Sequence, residues 1–112
     1  LPKKLNWSDA MELLLIGEPI SAKRAKEMGF VWKICEEDQL LEQANELAAQ
    51  LCRSAPLAVR ATKEVAQRAQ NMGWIESVRF GETMRIVANQ TNDATEGISA
   101  FKEKRDPKWQ GK

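Results

Sequence analysis

Histidine is absent from this 112-residue chain. That absence alone removes Ser-His-Asp and Cys-His catalysis, most zinc sites and ordinary pH switching near neutrality. Only two cysteines occur, Cys35 and Cys52, too far apart in sequence for a CxxC pair. They read as free thiols of a cytoplasmic protein, with a single disulfide left open. The six glycines form neither GxGxxG nor a GKS/GKT loop, so no phosphate cradle is written in the chain. Excess charge of one sign is missing as well, since 17 Lys and Arg face 16 Asp and Glu for a net +1. Such a balance sets up no field to draw nucleic acid or an anionic membrane. No apolar run approaches the ~20 residues of a membrane helix. Lys3 and Lys4 precede an apolar stretch as in a signal peptide, but Asp9 and Glu12 interrupt it. The first residue is Leu, which admits a processed, truncated or excised chain.

What remains is helical periodicity in a length suited to one small domain. Asn6 is placed to cap a first helix on which Trp7, Ala10, Met11, Leu14 and Leu15 recur, with Gly17 after it. Ser21 caps a short second helix carrying Ala22, Ala25 and Met28, which stops at Gly29. Residues 30–35 are β-prone, but no second strand candidate exists to pair with them, so they read as an extended connector or isolated strand. Asp38 is placed to cap the clearest amphipathic helix, where Leu40, Leu41, Ala44, Leu47, Ala48 and Leu51 form one stripe. Ser54-Ala55-Pro56 restarts the chain with a capping serine and a first-turn proline. The next helix runs to about Asn71, ahead of the turn Asn71-Met72-Gly73. From Trp74 to about Asn89 the apolar residues spread around most of the circumference, the mark of a helix covered on most sides. Thr91, Asn92 and Asp93 offer caps for a last helix with Ala94, Ile98 and Phe101 on its inner face. Pro107 ends it, and 108–112 is a basic tail.

The expected fold is therefore all-α: several short helices, with no sheet. The blocks are a helical hairpin and connector (1–35), a helix pair (38–71), the final helices (74–106) and the tail (107–112). Four tryptophans and the run Leu13 to Ile16 supply more apolar surface than one small core explains. Such surface predicts docking, either onto the rest of the same protein or onto another subunit.

Three stretches carry a resemblance. The first is residues 10–22, AMELLLIGEPISA, followed by Ala25, Gly29, Phe30 and Val31. The second is residues 54–64, SAPLAVRATKE, and the third is residues 93–105, DATEGISAFKEKR, with Pro107 and Trp109 after it. In this order and spacing they resemble the C-terminal part of the enoyl-CoA hydratase/isomerase (crotonase) family, over nearly the whole chain. The resemblance implies a C-terminal helical, oligomerising domain of a crotonase-like fold. The N-terminal β/α spiral, with its oxyanion hole and paired glutamates, would lie upstream. It further implies a substrate that is a coenzyme A thioester, no covalently bound cofactor, and self-association as a trimer or dimer of trimers. A lyase or isomerase of fatty-acid metabolism is the implied parent, and the 112 residues alone would be inactive. In the family's AFxEK stretch the aromatic and the lysine reach coenzyme A bound by a neighbouring subunit. The matching residues are Phe101 and Lys104. An aromatic face suits adenine and an ammonium suits phosphate, and the i, i+3 spacing sets both on one helix face. The plainer reading makes Phe101 a core residue beside Ile98 and Lys104 a solvated charge. Trp32 departs from the family, many members of which carry Asn there.

Other candidates carry less. Glu12, Glu82, Glu96 and Glu103 read as salt-bridge or cap residues, not catalytic groups. Cys35 and Cys52 lack a base or further ligands, so they read as small buried hydrophobes, and no metal site is expected. Arg60 and Lys63 read as surface charge, and the tail, locally +3 from Lys102 onward, reads as solvated. A self-standing helical interaction module, without catalytic activity, is the alternative from a different class.

Overall fold

Asn6 and Ser21 open the first two helices as their sequence positions require. In a computed structural model describing residues 1–112, every regular element is helical and no strand forms. The chain divides into two units, Leu1–Gln43 and Ala44–Lys112.

In the first unit, α1 spans Trp7–Met11, and the Asn6 side chain accepts the Asp9 N–H at 2.9 Å. The helix does not continue regularly: Glu12–Ile16 forms a π-helical turn that closes at Gly17, φ 70°. A π turn bonds i to i+5 and shifts the following side chains around the axis. Leu13 therefore packs on the small core of Leu5, Ala10 and Met28. Leu14 and Leu15, expected on the inner stripe, face outward instead. Helix α2, Ala22–Glu27, starts where Ser21 Oγ accepts the Arg24 N–H at 3.1 Å. It ends before Gly29, whose φ of 77° suits a residue without Cβ. Arg24 ties α2 back to the first helix through Asp9 at 2.8 Å and Glu12 at 2.7 Å. Residues 30–35 are irregular, so the connector reading holds and the strand reading falls. Asp38 is not a cap. It lies inside a 3-10 turn, Glu37–Gln39, from which α3 (Leu40–Cys52) grows directly.

In the second unit, α4 spans Pro56–Ala69, α5 Trp74–Asn89 and α6 Asn92–Glu103. The capping position of α4 belongs to Ala55, whose side chain makes no cap bond; Ser54 falls one residue short of it. Proline at the first position needs no donor there, which makes a polar cap less necessary. Helices α4 and α5 pack on each other. Gly81 of α5 sits opposite Val65, and the Arg68 guanidinium lies 5.8 Å from the Phe80 ring centre. The expectation that α5 is covered on most sides fails within this chain. One side meets α4, while Trp74 (82% exposed), Ile75, Val78, Ile86 and Val87 stay open. The stripe of α3 is open as well: Leu40, Leu41 and Leu51 are exposed.

Candidate functional site

Helix α6 carries the candidate site. Its start is fixed by Thr91, whose Oγ accepts the Ala94 N–H at 3.2 Å and donates to the Ala88 carbonyl at 2.8 Å. Asp93, in the first turn, is 1% exposed. Its two carboxylate oxygens accept the backbone N–H groups of Gln110 at 2.6 Å and Gly111 at 2.8 Å. One turn along, Glu96 holds Arg105 by two parallel bonds of 2.5 and 2.9 Å and accepts the Lys108 N–H at 2.7 Å. Between these anchors the Trp109 ring lies over Gly97, where a Cβ would come within 3.3 Å of the ring. Its indole N–H donates to the Arg53 carbonyl at 3.2 Å.

The tail is thus a strap across α6, held by its backbone and Trp109, while its basic side chains stay exposed as a solvated run. Sequence reading missed this role of Asp93, Glu96 and Trp109. A signal existed in the i, i+3, i+4 spacing of Asp93, Glu96 and Gly97, which places an acid, an acid and a bare backbone on one helix face.

The two candidate contact residues end up in different settings. Phe101 is 87% exposed and Ile98 is open as well, which corrects the expected inner face of α6. The buried residues of this helix are Asp93 and Ala100, and the strap is anchored on the face of Asp93, Glu96 and Gly97. Phe101 borders a groove of about 630 Å³ together with Ile98, Lys102 and Trp109. Lys104 does not line that groove. It stands just past α6 in the left-handed conformation, φ 52° and ψ 43°, so helical spacing no longer sets its direction.

The carboxylates behave as ion-pair partners. Glu12 pairs with Arg24, Glu82 with Arg85, and both Glu96 and Glu103 with Arg105. The Arg105 fork, helped by the Lys108 N–H, pulls the Glu96 pKa from an ordinary 4.5 to about 2. The Arg85 side chain likewise lowers Glu82. Both cysteines are free, but Cys35 is half-buried and Cys52 exposed, so neither is a core hydrophobe. Arg60 is exposed, as is Lys63, in keeping with surface charge.

The Glu96 shift has a consequence in acid. A depressed folded-state pKa contributes stability that is complete above the unfolded value and is lost as pH falls through the folded one. The strap is therefore expected to loosen between about pH 4.5 and pH 2. Two-dimensional NMR would show this as movement of the Lys108 amide and the Trp109 indole, with Glu96→Gln already displaced at neutral pH. An indole signal unmoved down to pH 2 would contradict it.

Comparison with known proteins covers the whole chain. The profile of a family described as Enoyl-CoA hydratase/isomerase matches residues 1–112. A carnitinyl-CoA dehydratase of Salmonella typhimurium is 37% identical over 116 residues, spanning 100% of this chain and 44% of that relative. An enoyl-CoA hydratase/isomerase structure from Mycobacterium paratuberculosis matches with TM-score 0.92 and 40% identity, over 98% of this chain and 44% of that one. An enoyl-CoA hydratase from Bacillus anthracis matches with TM-score 0.95 and 32% identity, over 99% and 43%. The chain thus spans less than half the length of these relatives.

Proposed function

Because this chain belongs to the enoyl-CoA hydratase/isomerase family, we propose that it is the C-terminal helical portion of an enzyme acting on acyl-CoA thioesters. In this reading it covers the active site and builds the subunit contacts of a trimer or dimer of trimers. The oxyanion hole and the acid/base groups come from sequence outside these 112 residues, and the segment is not catalytic alone. The open apolar faces of α3 and α5 are then surfaces for the rest of the assembly. In this reading the enzyme works in the cytoplasm, where two free thiols stay reduced.

The observation that carries the reading is Phe101, left open on α6 beside a groove lined by Ile98 and Trp109. A flat apolar face of that kind matches adenine, and the Lys104 ammonium supplies charge for phosphate. Adenine and its phosphates are remote from the reacting carbons, so they contribute uniform binding.

The test is made in the complete assembled enzyme. Phe101→Ala and Lys104→Ala are each expected to raise KM for acyl-CoA about tenfold, with kcat changed less than about twofold. The Lys104 effect should shrink as salt rises, since exposed charges are screened. The Phe101 effect should persist. In mixed oligomers a mutant subunit should impair its neighbour's site and spare its own. Unchanged KM in both variants would return Phe101 and Lys104 to structural roles.

A further inference from the structure

Lys104 is the only non-glycine residue of the chain with positive φ. A helix that stops in the left-handed conformation ordinarily uses glycine there, because a Cβ crowds the backbone. The Lys104 and Arg105 N–H groups close the helix end onto the carbonyls of Phe101 and Ala100, the latter at 3.1 Å from Arg105 N. Glycine would close the same turn with less strain and no ammonium. A strained residue persists only where its surroundings over-determine it.

Those surroundings are visible on both sides. Glu103 and Arg105, the residues flanking Lys104, are bonded to each other at 2.6 Å. Arg105 is forked onto Glu96, and Glu96 in turn holds Lys108. The Lys104 ammonium itself enters none of the chain's ion pairs. Its neighbours are tied down and its charge is left free.

We propose that the Glu96–Arg105 pair is a positioning element for Lys104, holding it in the left-handed turn so that its ammonium is presented to the phosphates of a CoA thioester. This rests on the CoA reading above and adds two residues that act through Lys104. Neither Glu96 nor Arg105 touches the substrate in this role. The guanidinium fork matters more than its charge, because two parallel bonds fix an angle that one ammonium cannot.

The experiment is a double-mutant cycle in the complete enzyme, with coenzyme A binding measured by calorimetry and KM and kcat by turnover. Lys104→Gly should weaken coenzyme A about tenfold while leaving the melting temperature unchanged or raised, since glycine relaxes the turn. Glu96→Gln should weaken binding about three- to tenfold in the Lys104 protein and have no further effect in the Lys104→Gly background. Arg105→Lys, which keeps the charge and loses the fork, should reproduce Glu96→Gln and serves if that variant folds poorly. An equal Glu96→Gln loss in both backgrounds, or no loss where Lys104→Gly has one, would overturn the positioning role. Full binding by Lys104→Gly would remove the CoA contact itself and the positioning with it.

Discussion

The 112-residue chain, incubated with crotonyl-CoA, is expected to hydrate it no faster than buffer does. Enzymic hydration needs donors aimed at the developing enolate oxygen and a proton donor or acceptor with a pKa near the working pH. The carboxylates of this chain that invite such a role are committed elsewhere. Glu12, Glu82, Glu96 and Glu103 all pair with arginines, and Glu96 sits at about 2, where it is a weak base at neutral pH. Loss of a single oxyanion donor costs about 10²–10³-fold in rate, and lack of the whole site should erase an acceleration of roughly 10⁶-fold or more. Circular dichroism on the same sample would establish that the helices are present. Turnover by the purified chain, abolished by changing one residue within it, would overturn the assignment of catalysis to other sequence.

Replacing Asp93 by alanine is expected to destabilise the second unit by about 3 kcal/mol. Its carboxylate is 1% exposed and holds two backbone N–H groups at 2.6 and 2.8 Å. Hydrogen bonds to a charged group contribute about 1.5–3 kcal/mol each, and release of the strap into water would recover part of that. With the anchor gone, Trp109 loses its seat on Gly97 and α6 exposes the face the strap had covered. Asp93→Asn keeps one acceptor and should lose about half as much. Urea unfolding followed by circular dichroism reads the difference as a lowered midpoint at similar slope. A loss below about 0.5 kcal/mol for the alanine variant would mean that the buried carboxylate does not hold the tail.

Several features of this fold were legible along the chain because they depend on neighbours within one or two turns. Asn6, Ser21 and Thr91 cap their helices through hydrogen bonds to residues three positions on. Helix α5 begins at Trp74 and ends at Asn89, where the turn signals on either side place it. Asp38 and Ser54 show the limit of that reasoning. Both residue types cap well, but a 3-10 turn and a first-position proline opened those helices without them.

The candidate site was less legible. The resemblance pointed to Phe101 and Lys104, but nothing local told whether Phe101 fills a core or lies open. The answer depends on which faces of α6 are packed against, and the bonds that bring the tail to this helix join residues 17 and 18 apart in sequence. The left-handed turn at Lys104 was hidden for a related reason, since lysine has no preference for it and Arg105, reaching nine residues back to Glu96, holds it there.

By itself, then, the sequence determined the helices, most of their ends and the family, all of which rest on short-range spacing and on motifs that can be read in order. Only the tertiary structure decided that Asp93 is buried, that the basic tail is a strap and that Phe101 is exposed. Those outcomes depend on which distant backbone groups find an acceptor, and the physical reason they escape a linear reading is that a buried carboxylate is stable only where its partners have already been brought to it.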